Sequence, residues 1–393
     1  MELRPEHVPL AVEMVPDVWE PQTLGDLERK GQVRLGRGQV ISQVDINEFP
    51  GDYPIYSSSI HDDGLFGRYA SYMFDEELIT WSIDGGGNFF YRPKHRFSVT
   101  NVCGYMRINT TTIDYRFLAY QLQLLHEAKT YDYQMKAHPS VIRWAYTVAL
   151  PGIDEQKRIA SALSDVDALI SSLDKLIAKK LDIKQAAMQQ LLTGRLRLPG
   201  FDGEWEVESV QDIGQVVTGG TPKTDVREYW GDEYPWVTPT DISQYRDLTD
   251  TERRLTAKGL EATARLPANT VLVTCIASIG KNAILKVEGG CNQQINAVIP
   301  KSGNSPEFLY YLFESNRQYL MANAGTTATS IISKSTFEGL KFPLPDPSEQ
   351  RAIASVLFDM DGEIEALERR RDKTRLLKQG MMQELLTGRV RLV

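Results

Sequence analysis

The chain has 393 residues, 42% of them apolar and 24% charged, with 6 Trp, 17 Tyr and 13 Phe. That composition excludes disorder as the main state and is enough for two or three domains with large cores. No run of about 18 apolar residues is present to span a membrane, and a net charge of −8 argues by itself against a nucleic-acid binder. Cys103, Cys275 and Cys291 are too few and too scattered for a disulfide framework or a zinc knuckle. Met1–Leu10 carries no basic-then-apolar export signal. A cytoplasmic protein with buried, reduced thiols is expected.

Residues 1–149 open at Trp19-Glu20 and are rich in Gly, Pro, Tyr and Trp, with short β-branched runs. They predict a globule of strands followed by a helix over Tyr115–Glu127. Residues 150–198 predict one long helix. Its apolar residues Ile159, Leu163, Val166, Ile170, Leu173 and Ile177 are spaced 4, 3, 4, 3 and 4, the a/d seam of a coiled coil. Residues 199–343 predict a second globule, opened by Trp205-Glu206, with strands at Thr270–Ile276 and Asn296–Ile299 and a helix over Pro306–Ala324. Residues 344–393 predict a second long helix. Its seam runs through Ile353, Leu357, Met360, Ile364 and Leu367 and breaks at Arg371, the counterpart of Ile177. Pro151, Pro345 and Pro347 mark the helix starts, and Gly194 and Gly388 follow the last apolar positions as C-terminal caps do.

The two helical segments are copies. Leu150–Leu198 aligns without a gap on Leu344–Leu392 at an offset of 194, and 24 of the 49 positions are identical. Each helix has roughly 38 residues and a length of about 57 Å. A helix of that length cannot bury its apolar stripe alone, so the two copies are expected to pack on each other. The globules, by contrast, share little beyond length and a few landmarks. Conserved spacing between two unlike globules suggests a spacer carrying two different recognition units.

Enzyme signatures are missing. Gly219–Thr224 (GGTPKT) lacks phosphate-loop spacing, and Asp84–Asn88 (DGGGN) reads as a turn. His7, His61, His95, His126 and His138 have no paired-ligand spacing, and no nucleophile elbow occurs. No metal site and no cofactor of the chain's own is expected.

Taken together, the chain resembles the DNA-specificity subunit of type I restriction–modification enzymes over nearly its whole length. The residues that carry the resemblance are Leu150-Pro151, Glu155-Gln156 and Ile159-Ala160, with their copies Leu344-Pro345, Glu349-Gln350 and Ile353-Ala354. To these add Gly325–Ile331 (GTTATSI), Ser278-Ile279-Gly280, Asn292-Gln293-Gln294, Tyr234-Pro235-Trp236 and Tyr53–Ser59 (YPIYSSS). The first block departs most, with Gly85-Gly86-Gly87 and Ala137–Ile142 where the second has its Ser-Ile-Gly and Gly-Thr-Thr segments.

The resemblance implies a mixed α/β fold. Target-recognition domain 1 spans 1–149, helical spacer 1 spans 150–198, target-recognition domain 2 spans 199–343 and helical spacer 2 spans 344–393. The two α/β domains are separated by two long antiparallel helices forming a coiled coil, in a tandem pseudo-twofold repeat. Each domain would read one half of a split, asymmetric double-stranded DNA site. The helix pair would set the spacer and dock two methyltransferase subunits, which hold S-adenosylmethionine. Two motor-nuclease subunits complete the restricting enzyme. The chain itself would be non-catalytic. Two readers on one face of DNA sit about 34 Å apart, one helical turn, which a stiff helix pair can set.

Charge opposes this in part. Residues 1–149 carry −5 and 199–348 carry −6, whereas 155–198 carry +3 and 349–393 carry +1. Acidic readers meet repulsion at the phosphates, so DNA contact is expected through loops rich in Gly, Ser, Thr, Asn and Arg, with methyltransferase partners neutralising phosphates. The candidate contacts are Ser57, Ser58, Ser59, Asn88 and Arg92 in the first domain. In the second they are Gly219, Gly220, Thr221, Lys223, Thr240, Ser278, Lys281, Asn292 and Gln293. Asn292 and Gln293 suit bidentate contact with adenine, and ordinary turn or packing roles compete at each position. Trp19, Trp205 and Trp236 read as core anchors. A protein-binding coiled-coil scaffold explains the helices but not the two globules, and a stand-alone DNA-modifying enzyme lacks its cofactor motifs.

Overall fold

The computed structural model describes residues 16, 18–59, 62–84, 88–127, 129, 137–242, 245–301, 303–325 and 330–393. Gly85–Gly87, His7, His61 and most of the Gly325–Ile331 segment lie outside them. The chain forms two compact units, residues 1–174 with 369–393, and residues 175–368. The division falls inside both long helices.

The first unit runs β1 (Glu20–Thr23), α1 (Leu24–Arg29), β2 (Val33–Arg37), α2 (Gln43–Glu48), β3 (Tyr53–Tyr56), β4 (Leu65–Tyr69), β5 (Phe74–Ser82), β6 (Phe89–Val99), β7 (Cys103–Ile108), α3 (Tyr115–Glu127), α4 (Pro139–Ala145), β8 (Thr147–Leu150) and the start of α5 (Ile153–Leu191). Six strands form a sheet in the order β2-β7-β5-β6-β3-β4, and β3 against β6 is its parallel pair. β1 pairs antiparallel with β8. Thr23 and Asp26 close a capping box at the start of α1. Helix α3 occupies the span its periodicity predicts. Leu118 and Leu122 pack with Ile79, Trp81, Phe89 and Met106 of the sheet. Phe117 joins Trp19, Ile159 and Leu163 in a second cluster, closed by Met382, Leu385 and Leu386 from the far end of the sequence.

The second unit runs β9 (Glu206–Ser209), α6 (Val210–Ile213), β10 (Gly214–Thr218), β11 (Trp230–Val237), β12 (Asp247–Leu248), β13 (Arg254–Leu255), α7 (Ala257–Glu261), β14 (Thr270–Thr274), β15 (Asn282–Leu285), β16 (Gly290–Cys291), β17 (Ile295–Pro300), α8 (Pro306–Ser315), α9 (Arg317–Ala322), α10 (Lys334–Glu338), β18 (Lys341–Leu344) and α11 (Pro347–Leu385). Its sheets are β10-β17-β14-β15-β12 and β13-β11-β16, with β9 paired to β18. The helix predicted over Pro306–Ala324 is broken at Asn316. That residue sits at φ −106° and ψ 21°, and its amide donates to the Leu312 carbonyl at 2.8 Å, a local bond that competes with helix continuation. Met188, Leu191 and Leu192 from the end of α5 pack with Ile353, Ala354 and Leu357 from the start of α11. Within each unit, then, the start of one long helix meets the end of the other, an antiparallel arrangement.

Of the eleven seam residues, Ile159, Leu163, Leu173, Ile177, Ile353, Leu357 and Ile364 are buried, and Val166, Ile170, Met360 and Leu367 are half-buried. Where Arg371 interrupts the pattern, an ion pair replaces apolar packing, with Asp174 meeting Arg371 at 3.7 Å and Arg375 at 3.2 Å. Each long helix has 39 residues. Past their last turns, Gly194 and Gly388 take φ +69° and +74°, the left-handed cap a side chain would strain.

The repeat extends to side-chain networks. In the first unit Glu155 is buried and accepts two bonds from Arg391, at 2.6 and 2.7 Å. In the second, buried Glu349 accepts two from Arg197, both at 2.6 Å. The arginines lie over Trp19 and Trp205, 5.6 and 5.7 Å from the ring centroids. Gln156 accepts from the Asp114 N–H and donates to the Thr112 and Pro151 carbonyls. Gln350 accepts from the Ser305 N–H and donates to Asn304 and the Pro345 carbonyl. About three turns further on, Asp167 holds Tyr120 and Lys378, as Asp361 holds Tyr311 and Lys184.

Two outcomes follow from these contacts. Leu163→Ala, at a fully buried position, costs about 2–5 kcal/mol in urea denaturation, whereas Leu169→Ala on the exposed side changes stability by about 0.5 kcal/mol or less. The Arg391 hydrogen bonds hold the Glu155 carboxyl below its usual value of 4.5. The stability it contributes is full above the unfolded pKa and lost as pH falls through the folded one. The stability gap between wild type and Glu155→Gln is therefore widest above about pH 5 and closes on acidification.

Candidate nucleic-acid interface

In the second unit, strand register gathers the predicted residues at one end of the five-stranded sheet. Thr218 at the end of β10 lies opposite Asn296, and Thr274 at the end of β14 lies opposite Ile295, near the start of β17. The loops leaving that end are Gly219–Val226, Cys275–Lys281 and Asn292–Gln294. Val237, at the end of β11, pairs with Cys291 and brings the Thr238–Asp241 turn alongside.

Backbone and side chain tie these loops together. The Gly220 N–H donates to the Cys291 carbonyl at 2.8 Å, and the Cys275 N–H to the Gln294 carbonyl at 2.9 Å. The Gly220 carbonyl accepts from the Trp236 indole and the Thr263 hydroxyl, each at 3.0 Å. Exposed Thr221 donates to exposed Gln293 at 2.6 Å. Lys223, Thr240 and Lys281 are exposed and Ser278 is half-buried. Thr240 meets Thr238 at 2.7 Å. Ala277 holds φ +61° and Gly280 φ +82° in the Ser-Ile-Gly turn. A non-glycine residue there costs about 1 kcal/mol or more. The Arg317 guanidinium, which donates to the Gly280 carbonyl at 3.1 Å, fastens that turn.

In the first unit, Ser57, Ser58 and Ser59 follow β3. The Ser57 N–H donates to the Gly64 carbonyl at 2.8 Å, and its hydroxyl accepts from Thr100 at 2.9 Å. The Ser58 carbonyl accepts from Ser82 at 3.0 Å. Ser59 is exposed, and Asn88 is half-buried just ahead of β6. Asp62 and Asp63 take φ of 48° and 52° in the same loop.

Two placements differ from the sequence expectation. Arg92 is not a loop residue but lies within β6, 5% exposed. Its guanidinium donates to Thr80 at 3.0 Å and to the Asp63 carbonyl, and stands 3.7 Å from the Tyr56 ring centroid. Burial lowers its pKa. It is covered because Thr80 of β5, the Tyr56 ring and the Asp63 backbone close over it. Asn292 is buried, and both its amide atoms bond to Gln294, at 3.0 and 3.1 Å. Gln293 is the exposed member of the pair.

Trp19 and Trp236 are buried and Trp205 is half-buried. Arg253 stacks 3.6 Å from the Trp230 ring centroid and 5.2 Å from Trp236, a cation–aromatic contact at this end that sequence reasoning missed. The three cysteines are buried free thiols. Burial pushes Cys103 and Cys291 up to about 12 and Cys275 up to about 11, which disfavours the thiolate form at neutral pH. Among the described residues no cluster of His, Cys, Asp and Glu fits a metal ion, and no helix is long and apolar enough to cross a membrane.

A family model for the type I restriction modification DNA specificity domain matches twice, over residues 16–182 and 202–374. The chain belongs to that family. Among curated members of known name, it is 39% identical over 168 residues to the type I restriction enzyme MjaIX specificity subunit of Methanocaldococcus jannaschii, covering 41% of this chain and 39% of that protein. It is 23% identical over 414 residues to the MjaVIII specificity subunit of the same organism, covering 96% and 94%. The chain thus spans well under half the length of the first of these and nearly all of the second. Among solved structures it is similar to the type I restriction-modification S subunit from M. genitalium. The TM-score is 0.62 at 13% identity, covering 94% of this chain and 96% of that one. At that identity the match speaks for the specificity-subunit fold alone. The mixed α/β architecture and the doubled specificity domain agree with the expectation from sequence.

Glycine geometry at this end supplies a test. A Cβ on Gly219 would lie 2.2 Å from the Asn292 carbonyl oxygen and 2.3 Å from that of Cys291, whereas one on Gly220 meets only the Thr263 hydroxyl, at 3.2 Å. Gly219→Ala is expected to pry the two loops apart and speed amide exchange in residues 291–295, and Gly220→Ala to leave exchange there near wild type.

Proposed function

We propose that the chain is the DNA-specificity subunit of a type I restriction–modification complex, and that each unit reads one half of a bipartite, asymmetric DNA site. The observation that carries this reading is the doubled specificity domain, with exposed short polar and cationic side chains gathered at one sheet end of the second unit. Thr221, Lys223, Thr240, Lys281 and Gln293 offer donors and acceptors there, with Gly219 and Gly220 permitting close approach of backbone. Asn292 and Ser278 shape the loops, as Arg92 does in the first unit, where Ser57, Ser58, Ser59 and Asn88 are the corresponding candidates.

The paired long helices hold the spacing between the half-sites, and their exposed faces dock two methyltransferase subunits. S-adenosylmethionine belongs to those partners. Two motor-nuclease subunits join in the restricting form. The chain contributes recognition and no chemistry of its own, and works in the cytoplasm where the DNA is. Its acidic globules make the partners necessary for tight binding, because they leave most phosphate neutralisation to other subunits.

Single-molecule methylome sequencing of cells expressing this chain with its methyltransferase, against cells lacking the chain, tests the reading. A split motif with one modified adenine per strand, present only with the chain, is expected. A stable complex that adds no motif would instead favour a protein scaffold, and methylation by the purified chain alone a self-contained enzyme. Within the complex, Lys281→Ala and Lys223→Ala are each expected to weaken binding at all sequences and lower the salt slope by about 1. Gln293→Ala is expected to relax discrimination at one position, costing about 1–3 kcal/mol against the cognate base.

A further inference from the structure

The first unit contains a cleft of about 670 Å³ that borders the recognition loop at Asp63 and Asn88 and extends from it to the long helices. It lies between the start of β6, helix α3 and the first turns of α5, with Lys378 reaching in from the C-terminal segment. A volume of this order suits a small organic ligand.

Three cations and three carboxylates line the cleft, Arg92, Arg116 and Lys378 with Asp63, Glu127 and Asp167. Lys378 is matched by Asp167 at 2.7 Å. Arg92, almost wholly buried, donates to the Thr80 hydroxyl and the Asp63 carbonyl. Arg116, exposed at the mouth, lies 5.2 Å from the Tyr91 ring centroid. Among the described residues neither guanidinium makes an ion pair with a carboxylate. A buried guanidinium without a counter-ion is costly, and a planar fork of N–H donors suits phosphate oxygens. Around the two cations stand flat rings (Phe90, Tyr91, His126) and the amides of Asn88 and Gln123.

The repeat shows what opens the cleft. Tyr120, Asp167 and Lys378 border it, and the second unit repeats that trio as Tyr311, Asp361 and Lys184. There, however, Ser164 is replaced by its counterpart Phe358, and the Arg246 guanidinium lies 4.3 Å from the Phe358 ring centroid, bonded twice to Asp247. An aromatic ring stands in place of the serine, and the arginine beside it already has its carboxylate.

We infer that the cleft of the first unit is a phosphate subsite, held by Arg92 and Arg116 and sized for a phosphate carrying a nucleoside. The phosphate comes either from a free nucleotide or from a DNA strand; only the second source rests on the DNA-reading function proposed above. Ser164→Phe, which copies the second unit, and Arg116→Ala, an exposed change at the mouth, test it on the full chain. Calorimetric titration with AMP and with inorganic phosphate is combined with the salt dependence of duplex binding by the assembled methyltransferase complex. Saturable AMP binding, weakened at least tenfold in both variants, supports the subsite with a free nucleotide as ligand. No AMP binding, but a salt slope lowered by about 1 in both variants, supports it with the DNA backbone as ligand. Neither change in either variant overturns it. Methylation of a split motif in that last case would leave the DNA-reading function standing without the subsite.

Discussion

A carboxylate placed where water does not reach must find a cation, and in each unit that requirement fixes several elements at once. Glu155 and Glu349 sit in the first turns of the long helices, buried, and each takes a two-pronged arginine from a segment that follows the other long helix. The neighbouring glutamines bind the backbone where the globule's last large helix begins, Asp114 ahead of α3 and Ser305 ahead of α8. Helix start, globule and returning tail are thereby locked in one geometry, and the apolar residues of the seam then fall into contact. The charged pair is not itself a large source of stability, since desolvation offsets much of its attraction. What it supplies is register. A helix slipped by one turn would leave a buried carboxylate unpaired.

On that shared frame the two units differ in what they present. The second ends its central sheet in three interlocked loops whose glycines allow backbones to touch. The first carries a serine-rich loop pinned from below by Arg92 and a polar cleft beside the helices. The ties that fix the frame, Glu155 with Arg391, Gln156, and Asp167 with Lys378, are identical between the copies. The presented surfaces are built from residues that are not. Such a division lets the presented surfaces diverge without disturbing the frame beneath them, as variation in loops over a rigid scaffold generally does.

Much of this was legible in the chain. Period-3.5 spacing revealed both long helices, and the offset of 194 showed that the copies, being the same, had to solve the same burial problem. The span of α3, Tyr115–Glu127, was legible as the helix that follows the strand-rich stretch. Asn316 defeated the same rule in α8 and α9, because its side chain competes with the helical hydrogen bond and periodicity does not record that. Arg92 was misplaced because an arginine among glycines and aromatics looks like a loop cation, while its burial depends on Thr80, Tyr56 and Asp63 meeting it in space. Asn292 looked available for base contact. Its capture by Gln294 is a matter of loop conformation that residue type does not encode. The cleft had a trace in the sequence, the exchange of Ser164 for Phe358 at an otherwise well-kept part of the repeat, but its meaning needed Arg246 and Asp247 in space.

The exchange of tails also sets an order of events during synthesis. The partner of Glu349 is Arg197, which has already been made when the glutamate emerges. The partner of Glu155 is Arg391, separated from it by 236 residues, and Gln121 waits for the Leu386 carbonyl across 265. The second unit holds its closing residues as soon as its own stretch is complete. The first, although made earlier, keeps an apolar groove on Phe117, Ile159 and Leu163 open until Met382, Leu385 and Leu386 have been made. Closing so long a loop late is slow relative to local pairing, so the nascent chain passes through a stage in which its younger half is finished and its older half is not.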